Sequence, residues 1–180
     1  MPVFLPTMKK KKNIVLENIK LVSAGAKGVA VGKTDDGKTV LVSGAVPGDT
    51  VNVRVRKSKS KYYEGDAAEI LEPSLWRVSP KCRHFGVCGG CKWQNLSYEK
   101  QLEFKQNEVV NNLRRIGGLD DFKIVPILGS EQDYFYRNKM EFSFSDSRWL
   151  TEEEINSGED ISQKNALGFH IPGMWSKILD

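Results

Sequence analysis

The sequence predicts an all-β barrel of the OB-like kind, followed by a small α+β domain that carries a cysteine-rich loop. Residues 13–73 contain short apolar stretches separated by tight turns and no convincing helical pattern, which indicates the barrel. Beyond them, Pro73, Pro80 and three closely spaced cysteines indicate a module built largely from loops. We therefore expect a disordered basic tail in residues 1–12, the barrel in residues 13–73 and the second domain in residues 74–180.

Turn residues divide the barrel segment into strands. Residues 35–38 (DDGK) separate the apolar residues 29–31 from residues 40–42, and Asp-Gly accepts the positive φ angles of hairpin turns. Residues 47–48 (PG) form a second turn signal. In residues 51–56 (VNVRVR) the period of two predicts valines inside and basic side chains outside. The short, regular strand spacing favours a closed OB-like barrel over a β-sandwich, which usually needs more residues.

The second domain is predicted to contain one long helix, over residues 98–116. We expect Ser97 to cap its first turn and the glycines at 117–118 to end it. Helical spacing places an apolar stripe on one face, which is expected to pack on a core. This stripe consists of Leu102, Val109, Leu113 and Ile116.

After Pro126 the pattern becomes that of β-strands. In residues 140–145, Met and Phe alternate with Glu and Ser, and we expect residues 166–171 to pair with them. The intervening residues 151–163 are acidic and are expected to form an exposed excursion. The domain is therefore expected to combine a helix with a small sheet.

The net charge of +4 is unevenly distributed along the chain. Residues 1–119 carry 21 Lys and Arg against 11 Asp and Glu, whereas residues 120–180 carry 6 against 12. The first two thirds is therefore the candidate polyanion-binding part. The apolar runs are too short to span a bilayer, and no secretory leader is evident. We expect a cytoplasmic monomer without a membrane partner.

Cys82, Cys88 and Cys91 form the most specific feature of the sequence. Close thiolates joined by glycines suit a metal, because the loop must fold back so that several sulfurs converge. An iron–sulfur cluster held by four cysteines would need a further sulfur from beyond Asp180, whereas His84 would close a zinc site of the Cys3His type locally. The spacing leaves both open, and both are favoured over three buried cysteines without a ligand.

A basic run beginning on the predicted strand of residues 51–56 is a candidate nucleic-acid surface. Alternate basic side chains on an extended strand project at intervals that suit phosphates, and neighbouring aromatic rings stack on unpaired bases. An ordinary solvated strand face is the alternative reading. Arg137 and Lys139 are also candidate phosphate contacts, with a solvated hairpin edge as the alternative. The run consists of Arg54, Arg56, Lys57, Lys59 and Lys61, and is followed by Tyr62.

The sequence contains no pattern that predicts catalysis within these residues. It has no Gly-rich phosphate loop opening a helix after a strand, and no βαβ alternation of a nucleotide-binding fold. Cysteines held by a metal are poor nucleophiles because their thiolates are already occupied. These residues therefore predict a binding module.

The order of the motifs resembles a known family. Residues 24–30 (AGAKGVA) and 46–49 (VPGD), with the basic strand, resemble a TRAM domain, an OB-like RNA-binding barrel. Residues 80–94 resemble the cluster motif of the TRAM-containing 23S rRNA and tRNA uracil-5-methyltransferases. Residues 136–142 (YRNKMEF) and 167–170 (LGFH) resemble the central domain of these enzymes.

The resemblance implies RNA, ribosomal or transfer, as the partner and a 4Fe–4S cluster as a cofactor. Cys82, Cys88 and Cys91 match three of the family's cluster ligands, and the fourth is expected after Asp180, so the cluster is expected to be incomplete or lost here. S-adenosylmethionine and the cysteine nucleophile that adds to uracil are expected in a Rossmann-like domain C-terminal to this chain. The chain is thus predicted to bind RNA without methylating it.

Two alternatives follow from the residues. One is a stand-alone RNA-binding zinc protein, in which His84 completes a Cys3His site. The other is a radical enzyme of the methylthiotransferase kind, which also carries a TRAM barrel. Five residues separate Cys82 from Cys88, whereas that kind of enzyme has three, and its barrel normally lies at the other end of the chain.

Overall fold

A computed structural model describes residues 14–179, and the predicted tail in residues 1–12 lies outside the described part. The chain divides into two compact units, of which the first ends at Leu75 and the second begins at Trp76. Within the described part, no helix has both the length and the apolar character needed to cross a membrane.

The first unit is a closed barrel of five strands in the order β1-β2-β3-β5-β4. The strands β3 and β5 run parallel, the other neighbours are antiparallel, and β4 closes the barrel by pairing with β1. This is the connectivity of a five-stranded OB-like barrel, and it confirms the predicted fold class. The strands are β1 (Val15–Ala24), β2 (Ala30–Lys33), β3 (Thr39–Ser43), β4 (Thr50–Ser58) and β5 (Tyr62–Glu72).

The barrel core forms from the strand positions that the period of two selects. Val51 and Val53 are completely buried, as predicted, and Val55 is half-buried. Beyond Val55 the register of β4 against β5 shifts, which indicates a bulge at Arg56. At Gly65, an added Cβ would lie 2.4 Å from the carbonyl oxygen of Arg54, so β5 approaches β4 too closely there for any side chain.

The carboxylate of Asp49 holds together the turn before β4 and the segment after β5. It is completely buried and accepts hydrogen bonds from the backbone N–H groups of Val46, at 2.8 Å, and Ser74, at 2.9 Å. Gly48, in the predicted turn, has a φ of +93° and donates its N–H to the carbonyl of Leu21 in β1. The chain therefore leaves the barrel at a position fixed by a buried acceptor.

The second unit combines a long helix with a three-stranded antiparallel sheet in the order β6-β7-β8, as the predicted α+β class requires. The long helix ends at the predicted place, with Ile116 as its C-cap and Gly118 at a φ of +64°. The predicted pairing of residues 166–171 with the preceding strand is also confirmed. The elements are α1 (Tyr98–Arg115), β6 (Ser143–Ser145), α2 (Glu152–Ser157), β7 (Ala166–Ile171) and β8 (Met174–Leu179).

The face that α1 buries differs from the predicted stripe. Val109 and Ile116 are 58% and 83% exposed, and the buried residue of the helix is Phe104, whose ring packs against those of Trp76 and Trp93. Ser97 occupies the N-cap position, as predicted, but its side chain makes no hydrogen bond to the first turn of the helix.

The strand predicted in residues 140–145 is shorter than expected, since β6 begins at Ser143. Phe144 on this strand is 85% exposed, while the neighbouring serines are half-buried. The hydroxyl of Ser143 hydrogen-bonds the His170 ring of β7 at 3.0 Å, so a polar contact occupies the covered face of the strand. The acidic excursion contains the short helix α2, which begins with a capping box between Thr151 and Glu154.

Candidate nucleic-acid interface and metal site

The basic run on the barrel bends at the end of β4. Arg54 and Arg56 lie exposed on the strand, and Lys57 follows the bulge. Lys59 and Lys61 lie in the β4–β5 turn, which the Lys59 N–H closes by donating to the carbonyl of Tyr62 at 2.9 Å. The run is therefore a strand followed by a hairpin tip, and the expectation of one extended strand was wrong for the last two lysines.

Two of the five cations in the run are paired with carboxylates on β5. The Arg56 guanidinium lies 2.9 Å from Asp66, and the Lys57 ammonium lies 3.1 Å from Glu64. The hydrogen bond between the latter two raises the pKa of Lys57 and lowers the pKa of Glu64. Within residues 14–179, no ion pair involves the remaining three cations, which are therefore available to an external anion. These are Arg54, Lys59 and Lys61.

Strand register adds residues to this surface that the sequence did not reveal. Thr39, which begins β3, pairs with Tyr62, which begins β5, so the β2–β3 turn lies beside the β4–β5 turn. The Lys38 ammonium lies 3.6 Å from the centroid of the Tyr63 ring, a cation–π contact. We call the set of Lys38, Lys59, Lys61, Tyr62 and Tyr63 the basic end of the barrel. Only the parallel pairing of β3 with β5 brings Lys38 into it.

The three cysteines lie on an irregular loop and have free thiols. Cys82 and Cys91 are exposed, and Cys88 is half-buried. The backbone N–H of Gly90 donates to the Cys88 sulfur at 3.4 Å. The side-chain amide of Gln94 donates to the Cys91 sulfur at 3.2 Å, and its oxygen accepts from the Cys82 N–H at 3.2 Å. Sequence reasoning did not select Gln94, which joins the two ends of the loop.

Whether this loop suits a metal depends on the ligand atoms it offers and on the hydrogen bonds that those atoms accept. Hydrogen bonds to sulfur tune iron–sulfur clusters, so the N–H groups directed at the sulfurs of Cys88 and Cys91 suit that chemistry. No three His, Cys, Asp or Glu side chains in the described part already stand as a ligand group. The Nε2 atom of His84 accepts a hydrogen bond from Arg83 at 3.0 Å, which engages one of the two ring nitrogens that can bind zinc.

Arg137 and Lys139 lie in the irregular segment before β6, and both are exposed. Lys139 lies 3.6 Å from Glu141, with both side chains almost fully in water, so their attraction is weak. The preceding Phe135 is 98% exposed with a φ of +57°. Both predicted cations are thus accessible in the second unit, as the predicted phosphate contacts require.

Comparison with known proteins bears on both units. Residues 19–68, which lie within the span of strands β1 to β5, match the TRAM domain family. The chain carries a TRAM domain. This confirms the TRAM part of the resemblance drawn from its motifs.

Relatives of the TRAM-containing chain are named RNA methyltransferases. It is 48% identical over 154 residues to an uncharacterized RNA methyltransferase of Bacteroides thetaiotaomicron, covering 86% of this chain and 34% of the relative. It is 41% identical over 181 residues to the uncharacterized RNA methyltransferase CT0009 of Chlorobaculum tepidum, covering 99% and 37%. It is 42% identical over 110 residues to the 23S rRNA (uracil(1939)-C(5))-methyltransferase RlmD of Nitrosococcus oceani, covering 60% and 25%. The chain spans about a third of the length of the first two relatives, in their N-terminal part.

Proposed function

We propose that this chain is the RNA-engaging N-terminal part of an RNA uracil-5-methyltransferase, and that Arg54 and the basic end of the TRAM barrel form one of its RNA contacts. The observation that carries the proposal is a TRAM barrel on which Arg54, Lys59 and Lys61 have no ion-pair partner among the described residues. The relatives named RNA methyltransferases support the enzyme class. The relative named for uracil in 23S rRNA supports uracil as the base that is methylated, and favours ribosomal over transfer RNA as the substrate.

Binding by this surface is electrostatic at the cations and apolar at the rings. The free ammonium and guanidinium groups neutralise phosphates and release counterions, while the half-buried Tyr62 offers a ring face for an unpaired base. The Tyr63 ring is already covered by Lys38 and packs against the barrel core. Arg56 and Lys57 contribute less, because Asp66 and Glu64 already neutralise them. The affinity for single-stranded or loop RNA is therefore expected to fall steeply with salt.

The test is a charge reversal with a matched control. Arg54→Glu combined with Lys59→Glu and Lys61→Glu is expected to weaken RNA binding well over tenfold, and to lower the slope of log K against log salt by about two. The control reverses the exposed cations Lys105, Arg115 and Lys123 of the second unit, which changes the net charge equally. Fluorescence anisotropy with a 23S rRNA hairpin and a tRNA measures both. Equal losses in the two triple variants, or binding that ignores salt, would contradict the proposal.

Within the same proposal, Cys82, Cys88 and Cys91 hold three irons of a 4Fe–4S cluster. The N–H groups that Gly90 and Gln94 direct at two of the sulfurs support these ligands. A further ligand is expected from a cysteine outside this chain, so a cluster on these residues alone is expected to be labile in air. When bound, the cluster would serve to fix the loop and the RNA path beside it.

Anaerobic reconstitution with iron and sulfide tests the cysteine ligands. Broad thiolate-to-iron absorption near about 400 nm is expected, and Cys88→Ser should abolish it. Gln94→Ala should shorten the lifetime of the cluster, since it removes the N–H bonded to Cys91. His84→Ala is the matched control and should change nothing. Zinc at one equivalent that is lost with His84→Ala would establish the Cys3His alternative instead.

The methyl-transfer step is proposed to require the rest of the protein. There, a cysteine thiolate would add to carbon 6 of uracil and S-adenosylmethionine would supply the methyl group to carbon 5. A base would then remove the carbon 5 proton as the thiolate leaves carbon 6, which restores the double bond and the free cysteine. Incubation of this chain with RNA and radiolabelled S-adenosylmethionine is expected to leave the RNA unlabelled. Labelled RNA, from a preparation free of host methyltransferases, would refute the proposal that methyl transfer requires the rest of the protein.

A further inference from the structure

The second unit contains a cleft between the end of the sheet and α2 that neither the cysteine loop nor the barrel uses. Its volume is about 420 Å³, within the range typical of small-molecule sites. Its lining includes the apolar side chains of Trp149, Ile155 and Ile161 and the charged side chains of Lys164, Lys177 and Asp146. A lining that combines an aromatic ring and aliphatic side chains with two ammonium groups suits a ligand that is both flat and anionic.

Backbone hydrogen bonds place the chain at Lys164 and the chain at Lys177 on either side of the segment that contains Trp149. The Arg148 N–H donates to the carbonyl of Lys164 at 2.9 Å, and the Trp149 N–H donates to the carbonyl of Ile178 at 2.7 Å. Ile178 returns its own N–H to the carbonyl of Ser147 at 3.2 Å. Lys164 and Lys177, the neighbour of Ile178, therefore flank the strand-like segment that carries Trp149.

The charges around the cleft leave a net excess of positive charge. Arg148 is neutralised by Glu154, 2.8 Å away, and the Thr151 N–H also donates to that carboxylate. No ion pair within the described residues involves Lys164 or Lys177, and Asp146 is the single acidic side chain on the described rim. The Arg148–Glu154 pair thus fixes the wall, while the two lysines remain available to an anion.

We propose that this cleft binds one nucleoside phosphate unit, with its base against Trp149 and its phosphate between Lys164 and Lys177. A nucleobase supplies the flat apolar face and a phosphate the negative charge, which together match the aromatic and the basic side chains that line the cleft. The inference rests on the proposed function: the nucleoside phosphate unit is part of the bound RNA, and the cleft is a second RNA contact in addition to the barrel. A free nucleotide has the same chemistry and is the other source to distinguish.

The test compares charge reversals in the cleft and elsewhere in the same unit. Lys164→Glu with Lys177→Glu is expected to weaken binding of a uridine-containing RNA about tenfold, whereas Lys105→Glu with Lys123→Glu should change it less than about twofold. Trp149→Ala should weaken binding several-fold, and Trp149→Phe should retain most of it because a ring face remains. Binding of a free nucleotide is measured by titrating the chain with uridine 5′-monophosphate and following the NMR shift of the Trp149 indole N–H.

The outcomes separate this inference from the proposed function. If the barrel triple variant loses RNA binding while the cleft variants bind like their control, the cleft proposal is overturned and the proposed function stands. If the wild-type chain binds no RNA, the proposed function fails and the nucleotide titration decides. A saturable shift of the Trp149 signal, absent in the Lys164→Glu and Lys177→Glu variant, would then support a free-nucleotide site, and its absence would overturn the cleft.

Discussion

The barrel and the long helix α1 use equally regular apolar patterns, yet only the barrel covers the predicted face. Val53 on β4 is completely buried, whereas Val109 on α1 is 58% exposed. The barrel closes on itself through β1 and β4, so the inner face of every strand meets other inner faces. The helix packs through Phe104 instead. The comparison teaches that periodicity identifies residues that share a face, and that closure decides whether the face is buried.

The two candidate sites differ in the same way. In the basic run from Arg54 to Lys61, the pairing of β4 with β5 fixes the first three cations, and two of these, Arg56 and Lys57, have carboxylate partners. On the cysteine loop, the side chain of Gln94 links Cys82 to Cys91 without a ladder of backbone bonds. The barrel surface is therefore built before any ligand binds, whereas the loop depends on local polar contacts.

The largest effect is expected from removing the buried acceptor of the barrel. Asp49→Ala would leave the N–H groups of Val46 and Ser74 without their acceptor in a dry environment, at a cost of about 2–4 kcal/mol in the free energy of unfolding of the barrel. Hydrogen exchange of barrel amides measures it, and Asp36→Ala in an exposed turn is the control, expected to change little. A barrel unaffected by Asp49→Ala would mean that closure alone maintains it.

A matched pair of truncations addresses the comparison directly. Val53→Ala removes two methyl groups from a fully buried site and is expected to destabilise the barrel by about 2 kcal/mol. Val109→Ala makes the same chemical change on an exposed face and is expected to cost less than about 0.5 kcal/mol. Hydrogen exchange of barrel amides measures the first change in stability, and hydrogen exchange of α1 amides measures the second. Equal costs would show that a covered face of α1 has been overlooked.

The smallest expected effect is a pH dependence in the second unit. The backbone N–H of Thr151 and then the Arg148 guanidinium hold the pKa of Glu154 below its usual value of 4.5. A carboxylate with a lowered pKa stabilises the folded state above its unfolded pKa, and this stabilisation is lost as the pH falls through the folded pKa. Amide exchange of α2 should therefore show weaker protection below about pH 4.5 than above it. Glu154→Gln should remove that difference, and Glu153→Gln should preserve it.

Much of the fold could be predicted because its signals are local. The turn glycine Gly48 and the helix end at Gly118 follow from backbone angles that other residues adopt at a cost. The failures came where a second element had to be known. Phe144 and Ser143 share the predicted strand, but the contact of Ser143 with His170 across the sheet decided which face was covered.

The sequence by itself determined the strands and turns of the barrel, the limits of α1 and the positions of the three cysteines, because these depend on neighbouring residues along the chain. The tertiary structure decided which cations are paired, that Lys38 lies over Tyr63, and that Gln94 bonds a cysteine sulfur. These contacts join residues that strand register or a folded loop brings together. Register is set by closure of the whole barrel, so no local pattern encodes the partner of a given charge.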